Sequence, residues 1–397
     1  MKTKYAIIVL DGAADYPLDV FDGKTPLQAA KTPNIDAIST SGRQGTVQTI
    51  PKGMAAGSDV AQMSLLGYDP REFYSGRAPI EAAAMGIQVT SEDWIFRCNL
   101  VTFADKLMAD HSAGHISTDE AKKLIEEFAR TMSGDKRLKF YPGVSYRHLC
   151  VISDVNLKVT TVPPHDIIGK KVSRNLPKGK GAGYLNDIMK QSQQLFENHE
   201  INRVRRDLGE NPVSSIWLWG QGHKAMMERF SKKFGIRGAA ITAVDLVRGL
   251  AKLIHFDLLE VEGATGYLDT NYAGKGETAV DAIDDYDLVF VHIEAPDEAG
   301  HSGDAEAKKK AIERIDKHIV GPVHEALQSY ESYRILVMPD HPTPVETQAH
   351  SDEPVPFAMA GEGVKGILKE PFSEENSFKS GFTIERGCDL MEYFLKV

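Results

Sequence analysis

The stretch DLVFVHIEAPDEAGH, residues 287–301, decides how the chain is read. Its first half is a short apolar run of strand length, and its second half sets Asp297 and His301 four residues apart behind Pro296, in a tight turn able to aim both side chains at one ion. Two further runs share the pattern: YAIIVL at 5–10 ends in Asp11, and RILVMP at 334–339 ends in Asp340-His341. A short continuous run rich in β-branched residues, as in YAIIVL, is the signature of a strand covered on both faces of a parallel sheet. Ligands of such sheets gather outside the carboxyl ends of the strands. Asp11, Asp297 and Asp340 all fall just past such ends, so a fold that brings the strands together converges three carboxylates, which repel one another unless cations join them. Carboxylate oxygens with imidazole nitrogens suit Mn²⁺ or Zn²⁺, and Mg²⁺ less well because of the histidines. His350, ten residues after Asp340 in a Pro-rich segment, can fold back as a further ligand.

The loop GMAAGSDV at 53–60 leads into a helical pattern. Glycines at 53 and 57 clear the space around Ser58, and the helix behind it offers unpaired amides and a positive dipole end, an anion site. Read alone, Gly-Ser-Asp is an N-cap. Beside a metal cluster the hydroxyl gains a second reading, because coordination to a divalent cation deprotonates serine and lets it attack phosphorus. Arg77 either clamps a phosphate with two hydrogen bonds or pairs with Glu81 one turn along its helix. His199, His255, His318 and His324 have no partner at metal-binding spacing, and Glu294, Asp304 and Asp352 either support the site or are solvated.

The 397 residues exceed what one core usually organises, so two domains are expected. A formal charge of −10 argues against nucleic acid or anionic membrane as a partner, so an anionic small-molecule substrate must meet a local basic pocket. Cys98, Cys150 and Cys388 are odd in number and far apart, which fits a reducing compartment; they read as buried and inert. The N-terminal apolar run is too short for a signal peptide and no stretch approaches the roughly 20 residues of a membrane span, so the cytoplasm is the expected location.

Alternating strand and helix patterns at both ends of the chain imply a doubly wound α/β domain. Pro26 and Pro33 start short helices, and Gly42 stops the second. The middle, 99–211, carries polar helices, short strands and the Pro/Gly-rich NLPKGKGAG, and reads as an inserted α+β domain within a discontinuous main domain of 1–98 and 212–397.

The motifs match a known family in order and over nearly the whole chain: DGAAD at 11–15, GSDVA at 57–61, SGRAPIEAAAMG at 75–86, SAGHIST at 112–118, PPHDIIGK at 163–170, WLWGQG at 217–222, GATGYLDTNY at 263–272, HIEAPDEAGH at 292–301 and PDHPTP at 339–344. Together they resemble the archaeal-type, cofactor-independent phosphoglycerate mutases of the alkaline phosphatase superfamily, which use no 2,3-bisphosphoglycerate. They are also similar to a bacterial subgroup proposed to act as homoserine kinases, although no P-loop or kinase glycine loop is present. The resemblance implies an alkaline-phosphatase-like metal domain with an inserted domain that grips the glycerate. It implies two divalent ions, manganese or zinc, one held by Asp297, His301 and His350 and the other by Asp11, Asp340, His341 and the Ser58 oxygen. It points to His115, Arg147 and Arg205 for substrate and to Lys275 to steady a phosphoserine. It implies transfer from 3-phosphoglycerate to Ser58 and back to the 2-hydroxyl, with hinges near 95–100 and 205–215 closing the inserted domain. Two positions depart from the family pattern: Gln348 and Ala349 stand before the last histidine where relatives commonly carry arginine and threonine, and His111 stands where tyrosine is frequent.

Overall fold

Strand β1 (Lys4–Leu10) is buried from Tyr5 onward, so both of its faces are covered. It runs parallel between β2 (Leu288–Ile293) and β3 (Tyr333–Met338), with Leu10 opposite Ile293 and Val9 opposite Met338. The three strands therefore end together, and Asp11 emerges level with Asp340. The computed structural model describes residues 3–153 and 155–396. The chain forms two compact units, residues 1–74 with 227–397 and residues 75–226.

In the first unit the three strands are the centre of an eight-stranded sheet. Gly238–Ile241 and Asp257–Leu258 extend it beyond β2, and Val355–Gly361, Arg43–Val47 and Thr383–Ile384 extend it beyond β3. Only Val355–Gly361 runs antiparallel to its neighbours. On one face Ala6, Ile8, Leu10, Val289, Val291, Ile335 and Val337 pack against Leu27, Ile35, Ile38, Ala279, Ile283, Ile312 and Ile319 from the covering helices. On the other, Tyr5 meets Phe394 of the C-terminal helix Gly387–Lys396 edge to face, with ring centroids 5.7 Å apart. Helices on both faces of a mostly parallel sheet make this the doubly wound α/β architecture. Each fully buried Ile or Leu contributes roughly 1.5–3 kcal/mol to holding the layers together. The entry helices lie where proline and glycine put them. Thr25 and Gln28 close a capping box around Pro26, and Pro33–Ser41 ends at Gly42.

The second unit is α+β. Trp94–Ala104 is the axis of a five-stranded antiparallel sheet with Leu107–Asp110, Leu138–Tyr141, Arg147–Ile152 and Ser215–Gly222. Phe96, Phe128, Phe196 and Trp217 fill its core with help from the helices Thr118–Thr131 and Ala182–Glu197. The unit is wider than 99–211, because Ala78 and Ala82 of the helix Arg77–Ala84 pack on Ile95, Leu149 and Val151 of this sheet. Residues 95–100, where a hinge is expected, lie inside the strand Trp94–Ala104, whose pairing shifts register between Ile95 and Arg97; residues 205–207 likewise end the helix Glu200–Asp207. No described helix is long and apolar enough to cross a membrane.

Candidate metal centre

Asp11, the first residue past β1, is fully buried. Its Oδ2 lies 2.8 Å from His292 Nε2 and its Oδ1 3.4 Å from His341 Nε2. Asp340, at the end of β3, is held by three donors: the Gly12 and His341 amides to Oδ1 at 3.1 and 2.9 Å, and Gln62 Nε2 to Oδ2 at 2.9 Å. Gly12 reaches this position with φ +62, in the left-handed region that glycine enters without steric cost.

Asp297 and His301 belong to helix α2 (Ala295–His301), so their four-residue spacing puts them on one face. His301 Nε2 is 3.2 Å from Asp297 Oδ2, His350 Nε2 is 3.4 Å from Asp297 Oδ1, and the two Nε2 atoms are 2.8 Å apart. Thr343 donates to Asp297 Oδ1 and sits 3.2 Å from His341 Nδ1, linking the two halves. Asp297, His301 and His350 form one set of convergent donors, Asp11, Asp297 and His341 a second, and Asp11, His292 and Asp340 a third. The sets share Asp11 and Asp297, so they are a single cluster.

Ser58 is the first residue of helix α1 (Ser58–Leu65), with Gly57 as its N-cap. The sequence places Ser58 itself at the N-cap. The helix begins one residue earlier, so the hydroxyl does not fold back on its own amides and instead lies 3.1 Å from His341 Nε2. Gln62, one turn further on, is the residue that steadies Asp340.

The charge in this cluster calls for cations. Burial raises the Asp11 carboxyl well above the usual range, and Asp340, Glu294 and Asp297 raise it further. Burial likewise pushes Glu294 up to about 8. Asp11 Oδ1 is buried without a hydrogen-bond partner, a position polar atoms occupy rarely unless something coordinates them. The histidines are set as ligands. His341 Nδ1 faces Pro342 O at 3.3 Å and Thr343 Oγ1, which directs the Nε2 lone pair at Asp11 and Ser58. His301 Nδ1 donates to Gln348 O at 2.9 Å, which turns its Nε2 on His350 and Asp297. Two facing Nε2 atoms need a proton or a cation between them. Asp297 pushes His301 up to about 9 and so favours the proton, and a divalent cation fits the same place. Burial opposes ionisation of Asp297, but hydrogen bonds from His301 and His350 more than reverse it and hold the carboxylate charged. The donor set, its orphaned oxygen and its fixed tautomers make this a site for divalent cations.

The expected residues divide between the units. Asp11, Ser58, Asp297, His301, Asp340, His341 and His350 come together in the first. Lys275 joins them there: it is 1 % exposed, donates to His292 O at 3.2 Å, and burial lowers its ammonium to about 8. Arg77, His115, Arg147 and Arg205 lie in the second. Arg205 is 2 % exposed and engaged at all three nitrogens: Nε bonds Asn211 O, one terminal nitrogen pairs with Glu120 and Glu210, and the other bonds Ala113 O. Its place is structural. His115 is exposed with φ +51, its ring 6.1 Å from Tyr146.

Arg77 and Arg147 flank a third guanidinium that sequence reading missed. Arg97 stacks on Trp219 at 4.3 Å and pairs with Glu81 at 3.0 Å. Burial lowers the Arg97 guanidinium, and Arg77 and Arg147 add to that against the pull of Glu81. His165 lies 5.3 Å from Trp219 and 6.1 Å from His111, ring to ring. His292, Gln62 and Thr343 were also missed. Gln62 carried a signal, since it stands four residues after Ser58 on one helix.

The chain is similar to known proteins over its whole length. A model of the 2,3-bisphosphoglycerate-independent phosphoglycerate mutases matches residues 39–202. The chain is 47% identical to the 2,3-bisphosphoglycerate-independent phosphoglycerate mutase of Methanothrix thermoacetophila and 48% identical to a probable one of Geobacter sulfurreducens, covering 99% of both chains in each case. Among solved structures, a Pyrococcus horikoshii protein aligns with TM-score 0.84 at 31% identity, over 100% of this chain and 97% of that one. The cofactor-independent phosphoglycerate mutase of Thermoplasma acidophilum aligns with TM-score 0.68 at 27% identity, over 100% and 99%. With cations called for at the strand ends, a serine at a helix start among them, and near-half identity over full length, the chain belongs to the 2,3-bisphosphoglycerate-independent phosphoglycerate mutase family.

Proposed function

We propose that this chain interconverts 3-phosphoglycerate and 2-phosphoglycerate through a phosphoserine at Ser58, using two divalent cations and no bisphosphoglycerate. The observation that carries the reading is Ser58 Oγ at the start of α1, 3.1 Å from His341 Nε2 inside the Asp11–Asp340 cluster. One cation would be held by Asp297, His301 and His350, and the other by Asp11, Asp340, His341 and Ser58. Manganese or zinc suits the mixed oxygen and nitrogen donors better than magnesium. When bound, the cations supply the charge that acidifies the serine hydroxyl and screens the phosphoryl oxygens.

The protein's own groups do the rest. Ser58 Oγ gives up its proton and attacks phosphorus in line, the bond from phosphorus to the glycerate 3-oxygen breaks and that oxygen takes up a proton, and the α1 amides with the Lys275 ammonium receive the equatorial oxygens. The acid stays bound and turns so that its 2-hydroxyl attacks the phosphoserine, which frees Ser58 and forms 2-phosphoglycerate. Arg77, Arg97 and Arg147 of the second unit, with Glu81 as their acidic neighbour, form a cationic group suited to an anionic ligand. Water is excluded during the turn, since hydrolysis would release free phosphate.

The test is Ser58→Ala. Mutase activity should fall by at least about 10³-fold while the fold and cation binding at Asp297, His301 and His350 remain, and wild-type protein quenched with 3-phosphoglycerate should carry one phosphate on the Ser58 peptide by mass spectrometry. An alanine variant within tenfold of wild type removes the covalent step. A parallel assay with ATP and homoserine separates a kinase from a mutase.

A further inference from the structure

The chain carries net charge −10, yet residues 158–180 hold six lysines and arginines against one aspartate. Two short strands in this segment, Lys158–Thr160 and Lys178–Lys180, form an antiparallel ribbon in which Lys158 pairs with Lys180 and Thr160 with Lys178. Strand alternation puts Lys158, Lys178 and Lys180 on one face, and all three are exposed. Like charges directly opposite each other destabilise a ribbon, and a two-stranded ribbon has little stability to spare.

The opposite face explains why the ribbon forms. Val159 packs on the core of the unit, Gln221 Nε2 donates to Val159 O at 3.0 Å, and Thr161 Oγ1 donates to Gln221 Oε1 at 2.5 Å. Gly179 permits the close approach, since a Cβ there would stand 2.3 Å from Lys158 O. The tether strand Ser215–Gly222 also carries Trp219, which stacks against Arg97 and His165 two residues before Gln221. The ribbon is thus fixed beside the arginine cluster with its lysine face outward, and Lys170, Lys171 and Arg174 continue the positive charge.

We propose that this lysine ribbon captures and steers the anionic phosphoglycerate toward the arginine cluster, locally overriding the repulsion of an acidic protein. The inference rests on the phosphoglycerate reading of the site. A phosphoglycerate carries about three negative charges, and a focused positive field raises its local concentration and arrival rate. The like-charge cost in the ribbon is the feature that this function accounts for and a solvated loop does not.

The experiment measures kcat and KM for 3-phosphoglycerate across ionic strength, in holoenzyme, for wild type and two triple variants. The ribbon variant is Lys158→Gln/Lys178→Gln/Lys180→Gln. The control removes the same charge from exposed helix positions as Lys122→Gln/Lys123→Gln/Lys190→Gln. At about 10 mM ionic strength the ribbon variant should show roughly tenfold lower kcat/KM, carried by KM with kcat held. The gap should close to within about twofold near 0.5 M, where screening leaves a reach of only about 4 Å. The control should follow wild type throughout. Equal losses in both triples, or a ribbon variant that keeps the wild-type salt dependence, overturns steering. Absence of mutase activity in wild type overturns the functional reading instead.

Discussion

Placing one methyl group at Gly12 tests how tightly the fold holds its metal donors. A Cβ there would lie 2.5 Å from Asp297 Oδ1, 2.6 Å from Thr343 Oγ1 and 2.8 Å from Asp297 Cα. Ordinary contact begins near 3.4 Å, so the three atoms fall short by 0.9, 0.8 and 0.6 Å. One of them is backbone inside α2, so Asp297 cannot swing aside alone and the helix start must move with it. Metal–ligand distances tolerate about 0.2 Å, so a shift of this size should weaken cation affinity about 10- to 100-fold. Gly12→Ala should also cost stability, roughly 1–2 kcal/mol for a side chain at φ +62 and about 1–3 kcal/mol for overpacking. The control is Gly23→Ala: φ there is +77, but nothing lies within 4 Å of the added Cβ, so it carries the backbone strain alone. Calorimetric titration of metal-free protein with Mn²⁺ reads affinity directly, and thermal melts with and without the ion read it by linkage. Wild type held at 100 times its dissociation constant gains about 2.7 kcal/mol from the ion, and a 30-fold weaker Gly12→Ala should gain only about 0.9 kcal/mol. Gly23→Ala should keep the full gain. A Gly12→Ala protein that binds Mn²⁺ like wild type would show that Asp297 is not confined as described, or is not a ligand.

Two further outcomes follow from buried charge. Lys308 is fully buried, and its Nζ reaches Asp15 Oδ2 at 2.7 Å, Thr343 O at 2.8 Å and Ala14 O at 3.3 Å, tying the loop after β1 to the loop after β3. Lys308→Met should lose about 3–5 kcal/mol in urea unfolding, because Asp15 is left charged and dry, and Lys308→Met/Asp15→Asn should recover at least half; an additive double variant refutes the coupling. In the second unit, burial pushes His148 down to about 3; Nδ1 accepts from Gly143 N at 3.0 Å, and Nε2 is buried without a partner. The folded state then holds fewer protons than the unfolded state, whose histidine titrates near 6.5. This stability is present above that value and is lost as pH falls toward 3. His148→Asn keeps an acceptor without the titration, so between pH 6.5 and 4 wild type should lose roughly 3 kcal/mol more than the variant by chemical denaturation, at up to about 1.4 kcal/mol per pH unit; parallel pH profiles refute the assignment.

The residues that converge at the strand ends were legible because the rule that exposes them is local. Asp11, Asp297 and Asp340 each follow an apolar run, and strands of a parallel sheet end on one side whatever their order. His301 comes with Asp297 by its four-residue spacing, expected as a tight turn and folded as the helix α2, and only His350 required a fold-back that no periodicity states. Ser58 was legible as a serine at a helix start, but its exact position was not, because whether Gly57 or Ser58 caps the helix depends on a hydroxyl turned toward His341 from 283 residues away. Gln348 shows the opposite case. The departure from the family pattern there leaves support for His301 intact, because the contact uses the Gln348 carbonyl, which any residue provides.

Arginines in the second unit were not legible, and the reason is electrostatic bookkeeping that no sequence window contains. Arg205 sits in a helix with a favourable neighbour pattern, yet Glu120, 85 residues away, and Glu210 neutralise it. Arg97 looks like a strand residue half covered by its neighbours. Glu81 pairs with it, and Arg77 and Arg147 stand close enough to oppose its charge. A cation binds substrate only when the fold leaves its charge uncompensated. That condition is a balance over residues drawn together by the sheet, so the neutralisation of Arg205 shows only in the fold.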